Sequence, residues 1–346
     1  MDAPWDVPNN EPMRPALRIL LSSQARQELA PAISAVLGTS AFALVTEAEA
    51  AAQNGVDLAF VSRDVTGLST KHVLTDSLLS FYAVLRRSAA LRWVHIHSAG
   101  ADRPIYPELH ARGVQVTTSS GANAGVVAQT ALAGLLALAR RFPQLMVAQQ
   151  ARTWAPLVGG PLPRDLSGQT AVLVGWGPIG QQLGAFLQML GLRLIVVRRS
   201  AAPVLQEGVE TVGLQALPAV LPRADWLLLA CPLTPHTRGL VNRQLLQALP
   251  AAACLVNVAR GEVVVEADLV EALRERRLAG AYLDVFEHEP LDAASPLWAL
   301  PNVIVTPHSA GHSDGNHRRV CELFLANLAR WHAGQPHQNV RIEQRR

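Results

Sequence analysis

Residues 171–200 read AVLVGWGPIGQQLGAFLQMLGLRLIVVRRS, and no other segment restricts the fold so tightly. An apolar strand over 171–174 runs into Gly175-Trp176-Gly177-Pro178-Ile179-Gly180, a G-x-G-x-x-G. A helix over 181–190 follows, with Gly191 at its end and a second strand to Val197. Gly175 permits a tight turn, Gly177 lets a pyrophosphate approach the backbone, and Gly180 lets the helix pack closely on the sheet. Phosphates would sit on the unpaired N–H groups at the positive end of that helix. A bare glycine pattern is weak, but here strand, loop, helix and second strand occur in order. The segment predicts a dinucleotide site on Gly175, Gly177, Pro178, Ile179 and Gly180. Pro178 removes one backbone donor, which the first position of a helix tolerates.

The end of the second strand selects between dinucleotides. NAD sites usually carry Asp or Glu there to hold the ribose 2′-hydroxyl. This chain has Arg198, Arg199 and Ser200. A guanidinium can pair bidentately with a 2′-phosphate that a carboxylate would repel. NADP(H) is therefore the preferred cofactor, with NAD(H) possible.

A length of 346 residues is about twice that of a usual domain and predicts two. Short apolar runs over 16–21, 58–62, 93–97 and 114–117 alternate with Ala- and Leu-rich helical stretches. The pattern changes at Thr118-Ser119-Ser120-Gly121, where a long apolar helix starts near Asn123 and runs to about Arg141. A polar arm rich in Pro and Gly spans 153–167. A second series then places strands at 170–175, 194–197, 226–230, 254–257, 281–284 and 303–306, before a last helix over 313–332. Repeated β-α units imply parallel sheets covered on both faces. The fold class is α/β, with two doubly wound parallel-sheet domains and a cleft between them. Residues 1–121 with 313–346 form a flavodoxin-like substrate domain, and 122–312 form a Rossmann cofactor domain.

With 49% hydrophobic and 16% charged residues, the chain is too apolar to be disordered. A net charge of +3 is spread over Arg86-Arg87, Arg140-Arg141, Arg198-Arg199, Arg276-Arg277 and Arg345-Arg346, which gives no dense patch for nucleic acid. The longest apolar stretch, 130–139, is about half a membrane span. Cys231, Cys254 and Cys321 form no C-x-x-C pair, so a reducing compartment without structural disulfides is expected. The opening MDAPWDVPNNEPMRP has no apolar signal core and reads as a loose leader, so the location is cytoplasmic.

Polar residues cluster after three late strands, in Asn257-Val258-Ala259-Arg260-Gly261, in Asp284-Val285-Phe286-Glu287-His288-Glu289-Pro290 and in Thr306-Pro307-His308-Ser309-Ala310-Gly311. Open α/β sheets place ligands at such strand ends, so an Arg, a Glu and a His can converge on one point. Together with the phosphate loop, and with Ala230-Cys231-Pro232-Leu233-Thr234 and Thr237-Arg238, these motifs make the chain resemble the D-isomer-specific 2-hydroxyacid dehydrogenase family from about Leu91 onward.

The resemblance implies that Arg260 holds a substrate carboxylate and polarises its keto oxygen, that His308 gives that oxygen a proton, and that Glu289 pairs with His308. These residue types suit those tasks. Histidine titrates near neutrality, and arginine stays charged and offers a planar fork. It also implies cofactor contacts at Cys231, Pro232, Leu233, Thr237, Val258, Ala259, Asp284 and Gly311, with Asp284 at the nicotinamide end. Ser98-Ala99-Gly100 looks like the family's Gly-rich turn for the substrate carboxylate, with Ser98 in place of a glycine; Arg63 reads as a solvated loop residue. Val127-Ala128-Gln129-Thr130 stands where the family has a Glu-His pair, so the local hydrogen bonding there should differ. No residue is assigned to a metal.

The activity implied is NADPH-dependent reduction of a small 2-keto acid to its D-2-hydroxy acid, similar to the glyoxylate and hydroxypyruvate reductases. The alternatives are an NAD-linked D-2-hydroxyacid dehydrogenase and a cofactor-sensing interaction protein on the same fold. The apolar helix from Asn123 and the arm 153–167 suggest a homodimer through the cofactor domains.

Overall fold

The computed structural model describes residues 16–51, 55–70, 73–158 and 160–340, so the leader lies outside the described residues. The chain divides into two compact units. One takes in residues up to Ser69, Leu74–Ser119 and Cys321 onward, and the other Thr70–Val73 and Ser120–Val320.

The first unit holds β1 (Leu17–Leu20), β2 (Phe42–Val45), β3 (Leu58–Val61), β4 (Trp93–Ile96) and β5 (Gln115–Thr118) in the order β2-β1-β3-β4-β5. Every pair is parallel, the flavodoxin-like order. The last helix, Asn316–His332, supplies Phe324, whose ring stacks on Phe60 at 4.6 Å and on Trp93 at 5.7 Å. Strand β2 is missing from the sequence reading. Its four residues FALV lie in an Ala-rich stretch that reads as helix, and pairing with β1 decides otherwise.

The second unit holds β6 (Thr170–Val174), β7 (Arg193–Arg198), β8 (Val209–Gly213), β9 (Trp226–Leu229), β10 (Cys254–Asn257), β11 (Gly280–Leu283) and β12 (Val303–Val305). They form a parallel sheet ordered β12-β11-β10-β9-β6-β7-β8. The sheet has seven strands where the sequence reading gives six. The extra one is β8, whose VETVG lies on the sheet edge with no residue fully buried, so it lacks a continuous apolar run. Successive core residues alternate between two clusters. Val172, Ile195, Leu227, Leu255 and Leu283 enter one, whereas Leu173, Val196, Leu228, Val256 and Tyr282 enter the other. A strand turns alternate side chains to opposite faces, so both faces of this sheet are covered and the unit is doubly wound.

The long apolar helix spans Ala124–Ala139, and Arg141, which caps the start of the next helix, adopts φ +56°. A second helix, Phe142–Gln150, leaves at 70° with Pro143 in its first turn, a helix absent from the sequence reading. No single helix among the described residues is long and apolar enough to cross a membrane.

Candidate active site

In the second unit the strand order reverses between β6 and β9, where open α/β sheets bind their ligands. Gly175 leaves β6 at φ +106°, and a Cβ there would lie 2.6 Å from the Ala230 carbonyl oxygen after β9. The loops that follow the two strands thus touch, and only glycine fits. A Cβ at Gly180 would lie 2.2 Å from the Gly175 oxygen, which fixes how closely the helix Pro178–Met189 approaches the loop. A Cβ at Gly177 would meet nothing within 4 Å, so space is open above the loop.

Arg198 ends β7, half-buried, while Arg199 and Ser200 are exposed. Neither guanidinium pairs with a carboxylate among the described residues. An open groove of about 430 Å³ beside Arg198 is lined by Trp176, Gln181, Val204, Leu205 and Gln206. Cys231 is buried, its thiol pushed up to about 11 by burial, and the nearby turn is closed by Thr237, whose hydroxyl donates to the Pro232 carbonyl at 2.7 Å. Leu233 is half-buried, and Val258 and Ala259 are buried.

Three strand ends build the polar centre. After β10, Asn257 is buried; its Oδ1 accepts from the Ala259 amide at 3.0 Å and its Nδ2 donates to the Arg260 carbonyl at 3.2 Å. The turn presenting Arg260 is therefore tied at both ends. Arg260 itself donates from Nη1 to the Ala259 carbonyl at 2.7 Å. At Gly261 a Cβ would fall 1.8 Å from the Phe286 carbonyl carbon, so this turn presses on the segment after β11.

After β11, Glu289 accepts from the Phe286 amide on Oε1 at 3.1 Å. Its other oxygen, Oε2, meets His308 Nδ1 at 2.8 Å. The carboxylate is 11% exposed and the imidazole 49%. Glu289 thus holds one ring nitrogen, while Nε2 has no hydrogen-bond partner among the described residues. Because a carboxylate only accepts, Nδ1 carries its proton, and Nε2 is the position that gains and loses one.

His308 has φ +49°, a left-handed conformation that costs roughly 1–3 kcal/mol for a non-glycine residue. Its amide donates to the Asp284 carbonyl at 2.8 Å. The buried Asp284 carboxylate accepts on Oδ1 from the Thr306 hydroxyl at 2.6 Å and from the Ser309 and Ala310 amides at 2.9 and 3.0 Å. Hydrogen bonds to a charged group contribute about 1.5–3 kcal/mol each, so this set outweighs the strain. Burial holds Asp284 above the ordinary carboxylate range, against those donors and the nearby His308, which favour the charged form. Asp284, expected at the nicotinamide end, has its carboxylate turned into the histidine loop.

Thr130, in the segment where the family's Glu-His pair is missing, shares its single hydroxyl proton between the Val126 carbonyl at 3.0 Å and the Ala310 carbonyl of this loop at 3.1 Å. A Cβ at Gly311 would lie 2.3 Å from Asn123 Nδ2. Asn257, Thr306 and Thr130 have no assigned role in the sequence reading. Their signal was available: small polar residues at strand ends or facing a motif. His288 and His312 are exposed.

In the first unit, Ser98 donates to the Gly100 carbonyl at 2.7 Å and its own carbonyl accepts from the Ser119 amide at 3.0 Å. Ala99 is exposed, as is Arg63. Ser98 thus closes a small turn with its side chain, a use that glycine could not serve.

Comparison with known proteins agrees with this architecture. Residues 132–310 match the family described as D-isomer specific 2-hydroxyacid dehydrogenase, NAD binding domain. The chain is 33% identical over 275 residues to a glyoxylate reductase of Korarchaeum cryptofilum, covering 78% of this chain and 80% of that one. It is similar to the D-isomer specific 2-hydroxyacid dehydrogenase of Xanthobacter autotrophicus Py2 in complex with NADPH and MES, with a TM-score of 0.73 and 29% identity over 94% of this chain and 98% of that one. A probable 2-hydroxyacid dehydrogenase of Rhizobium etli in complex with NADP, HEPES and L(+)-tartaric acid gives a TM-score of 0.72 at 25% identity, covering 95% and 98%. The chain belongs to the D-isomer specific 2-hydroxyacid dehydrogenase family and is an NAD(P)-dependent oxidoreductase. A nicotinamide dinucleotide fits the residues present, given the open space at Gly177, the helix start at Pro178 and the groove beside Arg198.

Proposed function

We propose that this protein reduces a small 2-keto acid to the D-2-hydroxy acid with NADPH. The observation that carries the reading is the 2.8 Å contact between Glu289 Oε2 and His308 Nδ1, which leaves a half-exposed imidazole whose Nε2 has no partner among the described residues. When bound, the nicotinamide supplies the hydride. His308 in its protonated form donates from Nε2 to the keto oxygen, and the charged ring is stabilised by Glu289. Arg260 holds the substrate carboxylate through its fork, and its charge draws electron density toward the keto oxygen. Asn257 keeps that guanidinium's backbone still. Ala99 and Gly100, in the turn closed by Ser98, add backbone donors for the carboxylate.

Gly175, Gly177, Pro178, Ile179 and Gly180 would hold the pyrophosphate, and Arg198, Arg199 and Ser200 the 2′-phosphate. Among the described residues neither arginine has a carboxylate partner, and the Xanthobacter and Rhizobium relatives were solved with NADPH and NADP, which supports the preference for NADP(H). NADH should work less well. Replacing Arg198 with Glu should raise KM for NADPH by about 10–100-fold and leave KM for NADH within a few-fold, since it removes one charge-assisted contact. An unchanged NADPH KM would remove Arg198 from the site.

We also propose a homodimer. The helix Ala124–Ala139 turns Val127, Ala131 and Leu135 inward, so the exposed apolar surface falls instead on Phe142, Met146 and Val147 of the next helix and on Trp154, Val158 and Leu162 of the arm. Burying that row against a second copy removes a patch that a monomer would expose. A cytoplasmic location suits three buried cysteines that form no disulfide among the described residues.

A further inference from the structure

We propose that Tyr282 and Thr306 form, with Asp284, a positioning relay that fixes the His308 loop, so that proton transfer depends on two hydroxyl groups that never meet the substrate. The inference rests on His308 as the proton donor.

The direction of the relay follows from its end. Asp284 Oδ1 can only accept, so the Thr306 hydroxyl spends its single proton there, at 2.6 Å. In its 2.8 Å contact with Tyr282 Oη, Thr306 must then accept, and Tyr282 donates. The chain of donors runs from Tyr282 through Thr306 to the carboxylate, which in turn accepts from the Ser309 and Ala310 amides beside His308.

The starting point is rigid. Tyr282 is 2% exposed, and its ring lies so close over Gly134 that a Cβ there would fall 2.3 Å from Cγ. The ring cannot swing, so its hydroxyl is aimed. On the opposite side of the loop the Ala310 carbonyl lies 3.1 Å from the Thr130 hydroxyl, whose proton it shares with the Val126 carbonyl at 3.0 Å. His308 sits between these two ties at φ +49°, a left-handed conformation uncommon for a non-glycine residue. The strand pairing Tyr282↔Ile304 and Leu283↔Val305 does not need the hydroxyls. Their removal should therefore loosen the loop more than the sheet.

The test uses the full-length enzyme with NADPH and glyoxylate, comparing Thr306→Val, Thr306→Ser and Tyr282→Phe, with His308→Ala as reference. Misplacement of a reacting group by about an ångström can cost on the order of 100-fold, so a partial loosening should lower kcat about 10-fold in Thr306→Val and about 3-fold in Tyr282→Phe. KM for both substrates should stay within about two-fold, and Thr306→Ser should recover most of the loss, because its hydroxyl still reaches Asp284. Wild-type kcat in both hydroxyl-deletion variants, beside an inactive His308→Ala, would overturn the relay alone. So would a change confined to KM, or a serine variant no better than valine. An active His308→Ala would overturn the proton-donor reading and the relay with it. Tyr282→Phe deletes one oxygen and keeps the ring packing, so its kcat decides the matter if Thr306→Val does not fold.

Discussion

His95 lies in β4 of the five-stranded sheet, and His308 on the loop after β12 of the seven-stranded one. Both rings stand near strand ends of parallel sheets, yet they are wired differently. His95 is fully buried and engaged on both nitrogens, Nδ1 with Thr117 Oγ1 at 2.7 Å and Nε2 with Ser119 Oγ at 3.1 Å. Trp93 Nε1 donates to Thr117, and Ser119 donates to the Ile96 carbonyl, so the donors run one way: Thr117 gives its proton to Nδ1, and Nε2–H gives to Ser119. Burial, with nearby His337 and His97, pushes His95 down to about 3, so it stays neutral. His308 is half-exposed, with one nitrogen on a carboxylate and the other without a partner among the described residues. A satisfied histidine specifies structure, whereas a half-satisfied one beside a carboxylate can move a proton.

The contrast can be broken in three places. The largest effect should come from His308→Ala, which removes the proton donor. Its kcat should fall by roughly 10²–10⁴-fold, with NADPH binding preserved, as read by steady-state rates and a cofactor titration. Next, Arg260→Gln should lower kcat/KM for the keto acid by about 10–100-fold, mostly through KM, as expected for loss of a charged hydrogen bond. A fall confined to kcat would move Arg260 away from ground-state binding.

The smallest effect concerns the other histidine. An unfolded chain protonates His95 near its ordinary pKa of 6.5, whereas the folded one resists until about 3. Between these values the unfolded state binds more protons, so stability falls as pH falls, by at most about 1.4 kcal/mol per pH unit. Urea unfolding from neutral to mildly acid pH should show that slope. In His95→Gln it should be smaller, and an equal slope in both proteins would mean that other groups drive acid unfolding.

Much of this could be read from the chain. Arg260, Glu289 and His308 each follow a strand with a clear apolar run, and the glycines of 175–180 lie between a strand and a helix. What was hidden depended on tertiary neighbours. Strand β2 looks helical until it pairs with β1, and β8 is an edge strand without a buried face. The bend at Arg141 needs a left-handed arginine, which no local preference announces. Asp284 is legible as important, but its orientation is set by Thr306 and the amides of the next loop, a register that only the paired β11 and β12 establish.

The central claim is that Glu289 and His308 act as one unit in proton transfer. A double-mutant cycle tests it most directly, with kcat measured for wild type, Glu289→Gln, His308→Ala and the pair under NADPH and glyoxylate. If the claim holds, Glu289→Gln costs about 10-fold or more in the wild-type background and almost nothing once His308 is gone, since its effect passes through the imidazole. An equal loss in both backgrounds would show that Glu289 acts independently of His308, and the paired mechanism would have to be abandoned.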